Sequence, residues 1–327
     1  MLPQKIHSSY ISHSGGDPLS EQILALLDQQ KKSWRQLAEG YKALDSVRLR
    51  DIQCDGYSVR LQFNPKRIVS SGAKVDAKSI SERKCFLCVE NLPEEQKGIF
   101  YQDRFLILCN PAPIFSEHYT ISNIDHVPQE IEKYLGAFFS IAKDLSPSFT
   151  VFYNGPKCGA SAPDHMHFQA CPSGVIPVER DAAEEGRREM IGKAGAVSGF
   201  IIKGYGRRAL VLESENAAEL ESYFLNLLRS MKNVLATTEE PMLNILCSFN
   251  RQKWRVIIFP RRKHRPDVYF REGEAKVLIS PASVDIGGLV ITPIEKDFEN
   301  VDATMIQDIF EEVSVTKSVL DKIISGM

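Results

Sequence analysis

The chain runs twice through the same order of elements, and that repetition limits its fold more than any single residue does. Read by hydrophobic period, strands over 105–108 and 119–124 lead into a helix over 129–145, then strands over 150–153 and 165–171. A glycine- and charge-rich connector over 181–199 follows. Strands over 200–203 and 209–212 then precede a helix over 217–235 and strands over 243–249 and 253–259. The pattern predicts an α+β protein: tandem halves of antiparallel sheet with helices. The domains expected are an N-terminal helical segment over 1–56, a first half over 57–180 and a second half over 181–327. The first segment carries an apolar stripe at Ile23, Leu27, Trp34, Leu37, Tyr41 and Leu44. Residues 57–63 alternate like a strand and run into Asn64-Pro65-Lys66-Arg67, which reads as a turn. The tail holds a loop-to-strand transition over 280–291 and a helix over 303–324.

The two halves differ at one place. Where the second has Lys253-Trp254-Arg255-Val256-Ile257, the first has Asp164-His165-Met166-His167-Phe168-Gln169. In a strand, side chains two apart share a face, so His165, His167 and Gln169 are expected to project together while Met166 and Phe168 enter the core. Imidazole keeps a free nitrogen near neutral pH, and that nitrogen can attack phosphorus and later leave. The bland alternative is a pair of structural histidines, each satisfied by a nearby partner. Just upstream, the stretch from Asn154 to Ser161 is a loop of small residues whose backbone N–H groups suit phosphate.

Cys85-Phe86-Leu87-Cys88 has thiolate spacing suited to a tetrahedral zinc site that needs two further ligands. His118, His126 and His165 are the candidates, and His118 could instead cap a strand. A redox pair or two buried thiols fit the same spacing. Arg261-Arg262-Lys263-His264-Arg265 reads either as a solvated turn or as an electropositive rim for a polyphosphate.

A length of 327 residues allows a large core, and a net charge of −2 gives no long-range pull on nucleic acid, so a nucleic-acid partner is not expected. Residues 1–17 lack the apolar core of a signal peptide, and no apolar run reaches membrane-spanning length. The expectation is a cytoplasmic protein with no membrane partner, its seven cysteines reduced.

From Asn154 to Gln169 the chain resembles the active-site segment of the histidine-triad superfamily. It resembles the transferase branch, which holds galactose-1-phosphate uridylyltransferase, diadenosine tetraphosphate phosphorylase and GDP-hexose phosphorylases. In that branch the motif ends in Gln, as here, rather than in a third His. The resemblance implies His167 as the nucleophile and Gln169 as donor to a non-bridging phosphate oxygen. It implies a phosphate loop of Asn154, Gly159 and Ser161, the last two each one place from the uridylyltransferase spacing. It also implies a nucleotide contact through Asn64 and Arg67, and a structural zinc on Cys85, Cys88, His126 and His165. The activity implied is nucleotidyl transfer through a nucleotidyl-histidine. The donor would be a nucleotide-sugar or dinucleoside polyphosphate, the acceptor inorganic phosphate or a sugar phosphate. The alternatives are a hydrolase of the same superfamily and a zinc-stabilised nucleotide-binding protein without turnover. A homodimer is compatible with all of these readings.

Overall fold

The structure, a computed structural model, describes residues 2–12, 18–72 and 76–327. Its strands are β1 (Ile6–Tyr10), β2 (Arg48–Cys54), β3 (Tyr57–Phe63), β4 (Gly98–Tyr101), β5 (Phe105–Cys109), β6 (Tyr119–Asn123), β7 (Phe149–Asn154) and β8 (His167–Pro172). They continue with β9 (Arg188–Ala194), β10 (Val197–Ile202), β11 (Leu210–Ser214), β12 (Leu243–Asn250), β13 (Lys253–Pro260) and β14 (Leu289–Thr292). One 11-stranded sheet runs β1-β4-β5-β6-β8-β7-β12-β13-β11-β10-β9, and a 3-stranded sheet runs β14-β3-β2.

The large sheet is an internal repeat. From β4 inward its order is 4-5-6-8-7, and from β9 inward it is 9-10-11-13-12. Each copy places a helix after its third strand, Leu135–Asp144 in the first and Ala217–Val234 in the second. The copies meet through the antiparallel pairing of β7 with β12. Tandem halves of antiparallel sheet are therefore what forms, and two strands that the sequence hid complete them. β4 is short and almost wholly buried, so it shows no alternation. β9 is a half-exposed edge strand within what reads as a connector, its apolar residues scattered among charges.

Other boundaries also differ from the sequence reading. The N-terminal segment carries β1 and β2 as well as its helices Leu19–Ser33 and Arg35–Lys42, which break at the extended backbone of Trp34. β3 pairs with β2 and, in parallel, with β14 of the tail. The tail helix divides into Ala303–Val313 and Lys317–Ser325. Asp302 caps the first by accepting from Met305 N–H, and Thr316 caps the second by accepting from Val319 N–H. No helix among the described residues is long and apolar enough to cross a membrane.

Strand parity then sets the position of the site. Phe168 and Ala170 of β8 join the core under the helices, where Phe168 packs against Phe105, Phe138 and Tyr153 at ring distances of 5.8, 5.0 and 6.1 Å. His167 and Gln169 face the opposite side, which the small sheet and the helix Ala303–Val313 enclose with a second core. In the second copy β12 and β13 are joined by a tight hairpin with Arg251 and Gln252 at φ 50 and 61°. The first copy has a longer loop at that place, residues 155–166, whose Gly159, Ala160 and Ser161 line the cleft.

Candidate active site

β8 begins at His167, so the parity rule does not reach His165, and the expectation of three side chains on one face is corrected here. The reason is Gln129. Its buried side chain accepts from the His167 N–H (2.7 Å) and donates to the carbonyls of His167 (2.9 Å) and Asn154 (3.0 Å). It holds the ends of β7 and β8 apart where the ladder would otherwise continue. His165 turns away instead, donating Nε2–H to the Asn123 carbonyl at 2.8 Å.

His167 Nδ1 lies 2.8 Å from the His165 carbonyl oxygen, an atom that only accepts. Nδ1 therefore carries the proton, and the lone pair sits on Nε2. Burial pushes the imidazole down to about 4, which keeps it neutral. Gln169 is oriented by His118, which the sequence offered only as a metal ligand or a strand cap. His118 Nδ1 accepts from Ile114 N–H (3.4 Å), so its Nε2–H donates to Gln169 Oε1 (3.0 Å). This bond ties up the amide oxygen of Gln169 and turns its NH2 away from His118. Burial, reinforced by Arg67, pushes His118 down to about 3 and keeps that donor pattern.

Cys85, Cys88, His126 and His165 converge so that their ligand atoms lie within 4.8 Å of one another. Cys85 Sγ is 3.3 Å from His165 Nδ1, and Cys88 Sγ is 3.1 Å from His126 Nδ1. Two sulfurs and two imidazole nitrogens at these separations fit a tetrahedral cation, and the donor set suits zinc. Because His165 Nε2 is committed to Asn123, its Nδ1 lone pair faces the cluster, an arrangement typical of ligating histidines. Asn91 steadies the turn between the thiols by donating to the Cys85 carbonyl (2.9 Å). His118 takes no part in the cluster.

His167, Gln169 and His118 open on a cleft of about 580 Å³, whose walls include Asn154, Gly159, Ser161, Arg67, Arg83, Arg265 and Asp285. Three arginines and one carboxylate line it in a chain of net charge −2, so positive charge concentrates there. Arg67 donates Nη1–H to the Ala112 carbonyl (2.7 Å) while its buried Nε has no partner, and Arg83 Nη1 is likewise buried and unpartnered. Asn154 Oδ1 accepts from Ser283 N–H (2.8 Å), Ser283 Oγ (2.7 Å) and Asn244 Nδ2 (3.0 Å). Gly159 has φ +110°, and a Cβ there would come within 2.6 Å of Ala282 Cβ. Both contacts press the loop against the second half. Asn64 lies outside the cleft lining. It braces the neighbouring turn by donating to the Pro113 carbonyl (3.3 Å), so it supports the wall rather than forming it.

Gln129, Arg83, Asp285 and the His118 contact carried no signal in the sequence, because isolated polar residues show neither spacing nor repetition. Of the basic run, only His264 and Arg265 line the cleft.

Comparison with known proteins agrees with this architecture. Residues 26–172 match a domain of unknown function, DUF4922, and residues 182–325 match the GDPGP1-like C-terminal domain. No curated protein sequence matches the chain. Among solved structures, the yeast Ap4A phosphorylase Apa2 aligns with a TM-score of 0.59 at 16% identity, covering 91% of this chain and 95% of that one. Its complex with Ap4A aligns with a TM-score of 0.54 at 14% identity, covering 88% and 97%. The chain shares that fold, and its residues 182–325 are similar to the GDPGP1-like C-terminal domain.

Proposed function

We propose that the protein is a nucleotidyltransferase of the phosphorylase kind. His167 takes a nucleoside monophosphate from a nucleotide-sugar or dinucleoside polyphosphate and passes it to inorganic phosphate or a sugar phosphate. The observation that carries this reading is the tautomer of His167, with Nδ1–H given to a carbonyl and a neutral Nε2 beside an arginine-lined cleft.

In the first half-reaction Nε2 forms a bond to the α-phosphorus. The bond from phosphorus to the bridging oxygen breaks, and its electron pair leaves with the phosphorylated group. In the second, an acceptor oxygen attacks the same phosphorus and the P–N electron pair returns to Nε2. Neither step needs a proton on the histidine, which agrees with an imidazole that burial holds neutral. The Gln169 amide would donate to a non-bridging oxygen, with its flip set by His118. Asn154, Gly159, Ser161 and Arg67 would hold the remaining phosphates, with Asn64 behind them. Residues 57–180 would then serve as the catalytic half and 181–327 as the half without the His-x-His-x-Gln motif.

Zinc on Cys85, Cys88, His126 and His165 would stabilise the segment that enters β8, because four protein ligands leave no open position for chemistry. Free cysteines throughout suit a reducing compartment such as the cytoplasm.

The test is to trap the intermediate. Incubated with the right donor and no acceptor, the protein should gain the mass of one nucleoside monophosphate, stable at alkaline pH, lost in acid and discharged by phosphate. His167→Ala should gain nothing. Donor consumption that requires phosphate, with no adduct at any pH, would overturn covalent transfer in favour of direct displacement.

A further inference from the structure

We infer that the half without the His-x-His-x-Gln motif supplies the subsite for the phosphorylated leaving group, and for the phosphate-bearing acceptor that replaces it, through Arg265 and His264. This rests on the reading of His167 as a nucleophile. The argument starts from Arg261, which leaves β13 and is buried. Its guanidinium donates to the carbonyls of Val313 (3.2 Å), Pro281 (3.0 Å), Lys263 (3.1 Å) and His264 (3.1 Å), and to Asn244 Oδ1. A guanidinium so fully committed to protein oxygens is not a ligand-binding group. Its effect is to wrap residues 263–265 around itself and fix them beside Pro281.

The wrapping divides the basic run. Arg262 points along the surface to the carbonyls of Glu311 (3.2 Å) and Glu312 (2.9 Å), and Lys263 pairs with Asp267 and Glu312. His264 and Arg265 face the other way, into the cleft that contains His167. Arg265 is positioned by Nε–H donation to Ser280 Oγ (2.9 Å) and lies 4.3 Å over the Tyr269 ring. Burial and the neighbouring arginines push His264 down to about 4, so it is a neutral partner beside a cationic one.

This wall is coupled to the catalytic half. Asn244, which accepts from Arg261, donates to Asn154 Oδ1 (3.0 Å) and to the Cys158 carbonyl (2.8 Å) at the two sides of the loop. The groups nearest the loop and the groups on the second half are thus held in one bonded frame. A phosphate dianion is the ligand this chemistry fits, since an arginine fork and an imidazole N–H both donate to its oxygens. By microscopic reversibility the group displaced from phosphorus leaves through the place where the acceptor later attacks. One subsite serves both half-reactions.

The experiment is calorimetric titration of the nucleotide-free, metal-replete protein with inorganic phosphate, a hexose 1-phosphate and tripolyphosphate, each on its own. Arg265→Gln should weaken every phosphate probe that binds wild-type protein by at least about tenfold, Arg265→Lys by less, and Arg262→Gln not at all. Thermal melts and zinc content should match wild type in all three variants, which separates lost binding from lost folding. Tighter binding of the hexose phosphate names a sugar phosphate as acceptor, and tighter binding of inorganic phosphate names phosphate; both support the subsite. Wild-type protein that binds none of the three, or a folded Arg265→Gln variant that binds them unchanged, overturns it. The nucleotidyl-histidine reading fails separately: phosphate binding through Arg265 with no adduct on His167 leaves the subsite standing and removes the transfer chemistry.

Discussion

Replacing Gln129 by alanine tests the packing argument at the centre of the site without reference to any substrate. The side chain is 3% exposed and makes three hydrogen bonds to main-chain groups of His167 and Asn154. Truncation strands one N–H and two carbonyls in a buried setting. At about 1 kcal/mol for each, the low end for an unsatisfied buried group, the loss is about 3 kcal/mol. Gln129→Glu sharpens the test. Its carboxylate can still accept from the His167 N–H but faces the two carbonyls with no donor, so burying it unprotonated is costly. Its folded-state acidity should therefore be raised above the unfolded value. That variant should be most stable in acid and should lose stability as pH rises through the raised value. Urea unfolding followed by circular dichroism, at pH 5 and pH 8, measures both effects. A loss below about 1 kcal/mol in Gln129→Ala, or a glutamate variant as stable as wild type at pH 8, would refute the claim that this side chain holds the strand ends in place.

Elemental analysis of protein purified without chelator should find about one zinc per chain. Its removal, or Cys85→Ser, should lower the melting temperature sharply, as a closed four-ligand site requires. Metal-free protein with an unchanged melt would contradict this. His118→Ala should slow nucleotidyl transfer by less than Gln169→Ala, for which loss of a transition-state donor predicts about 10²–10³-fold in kcat; equal or reversed effects in steady-state assays would remove His118 as the positioning residue. Burial pushes Glu240 from an ordinary 4.5 up to about 7, where it accepts from Ile131 N–H (2.5 Å) and Tyr153 OH (2.7 Å). The folded state keeps that proton when the unfolded chain has lost it, so the contribution is full below pH 4.5 and declines up to about pH 7. The decline is at most about 3 kcal/mol, and Glu240→Gln should flatten that part of the stability profile; parallel profiles for the two proteins would rule the carboxyl out.

Much of this protein is written locally in its sequence. Alternation from 167 onward separates Phe168 from His167, because a strand must send neighbours to opposite faces whatever surrounds it. The spacing of Cys85 and Cys88, and the two runs through strand, strand, helix, strand and strand, are likewise properties of short segments. What the sequence could not carry depends on residues far apart in the chain. β4 and β9 count as strands only through their partners, since one is buried on both faces and the other is an edge. That His126, and not His118, comes close to Cys85, Cys88 and His165 depends on where the two ends of β6 lie once that strand is paired. Gln129 has no local pattern at all, and its role exists only because β7 and β8 end beside it. The basic run at 261–265 shows the division within five residues. Composition makes it positive, but only the burial of Arg261 among oxygens of three distant segments, at Asn244, Pro281 and Val313, decides that His264 and Arg265 turn into the cleft while Arg262 and Lys263 turn out. Hydrophobic period and ligand spacing act within one segment and can be read from it. Hydrogen-bond satisfaction of buried groups is a condition on the whole fold, so it becomes visible only when the fold is complete.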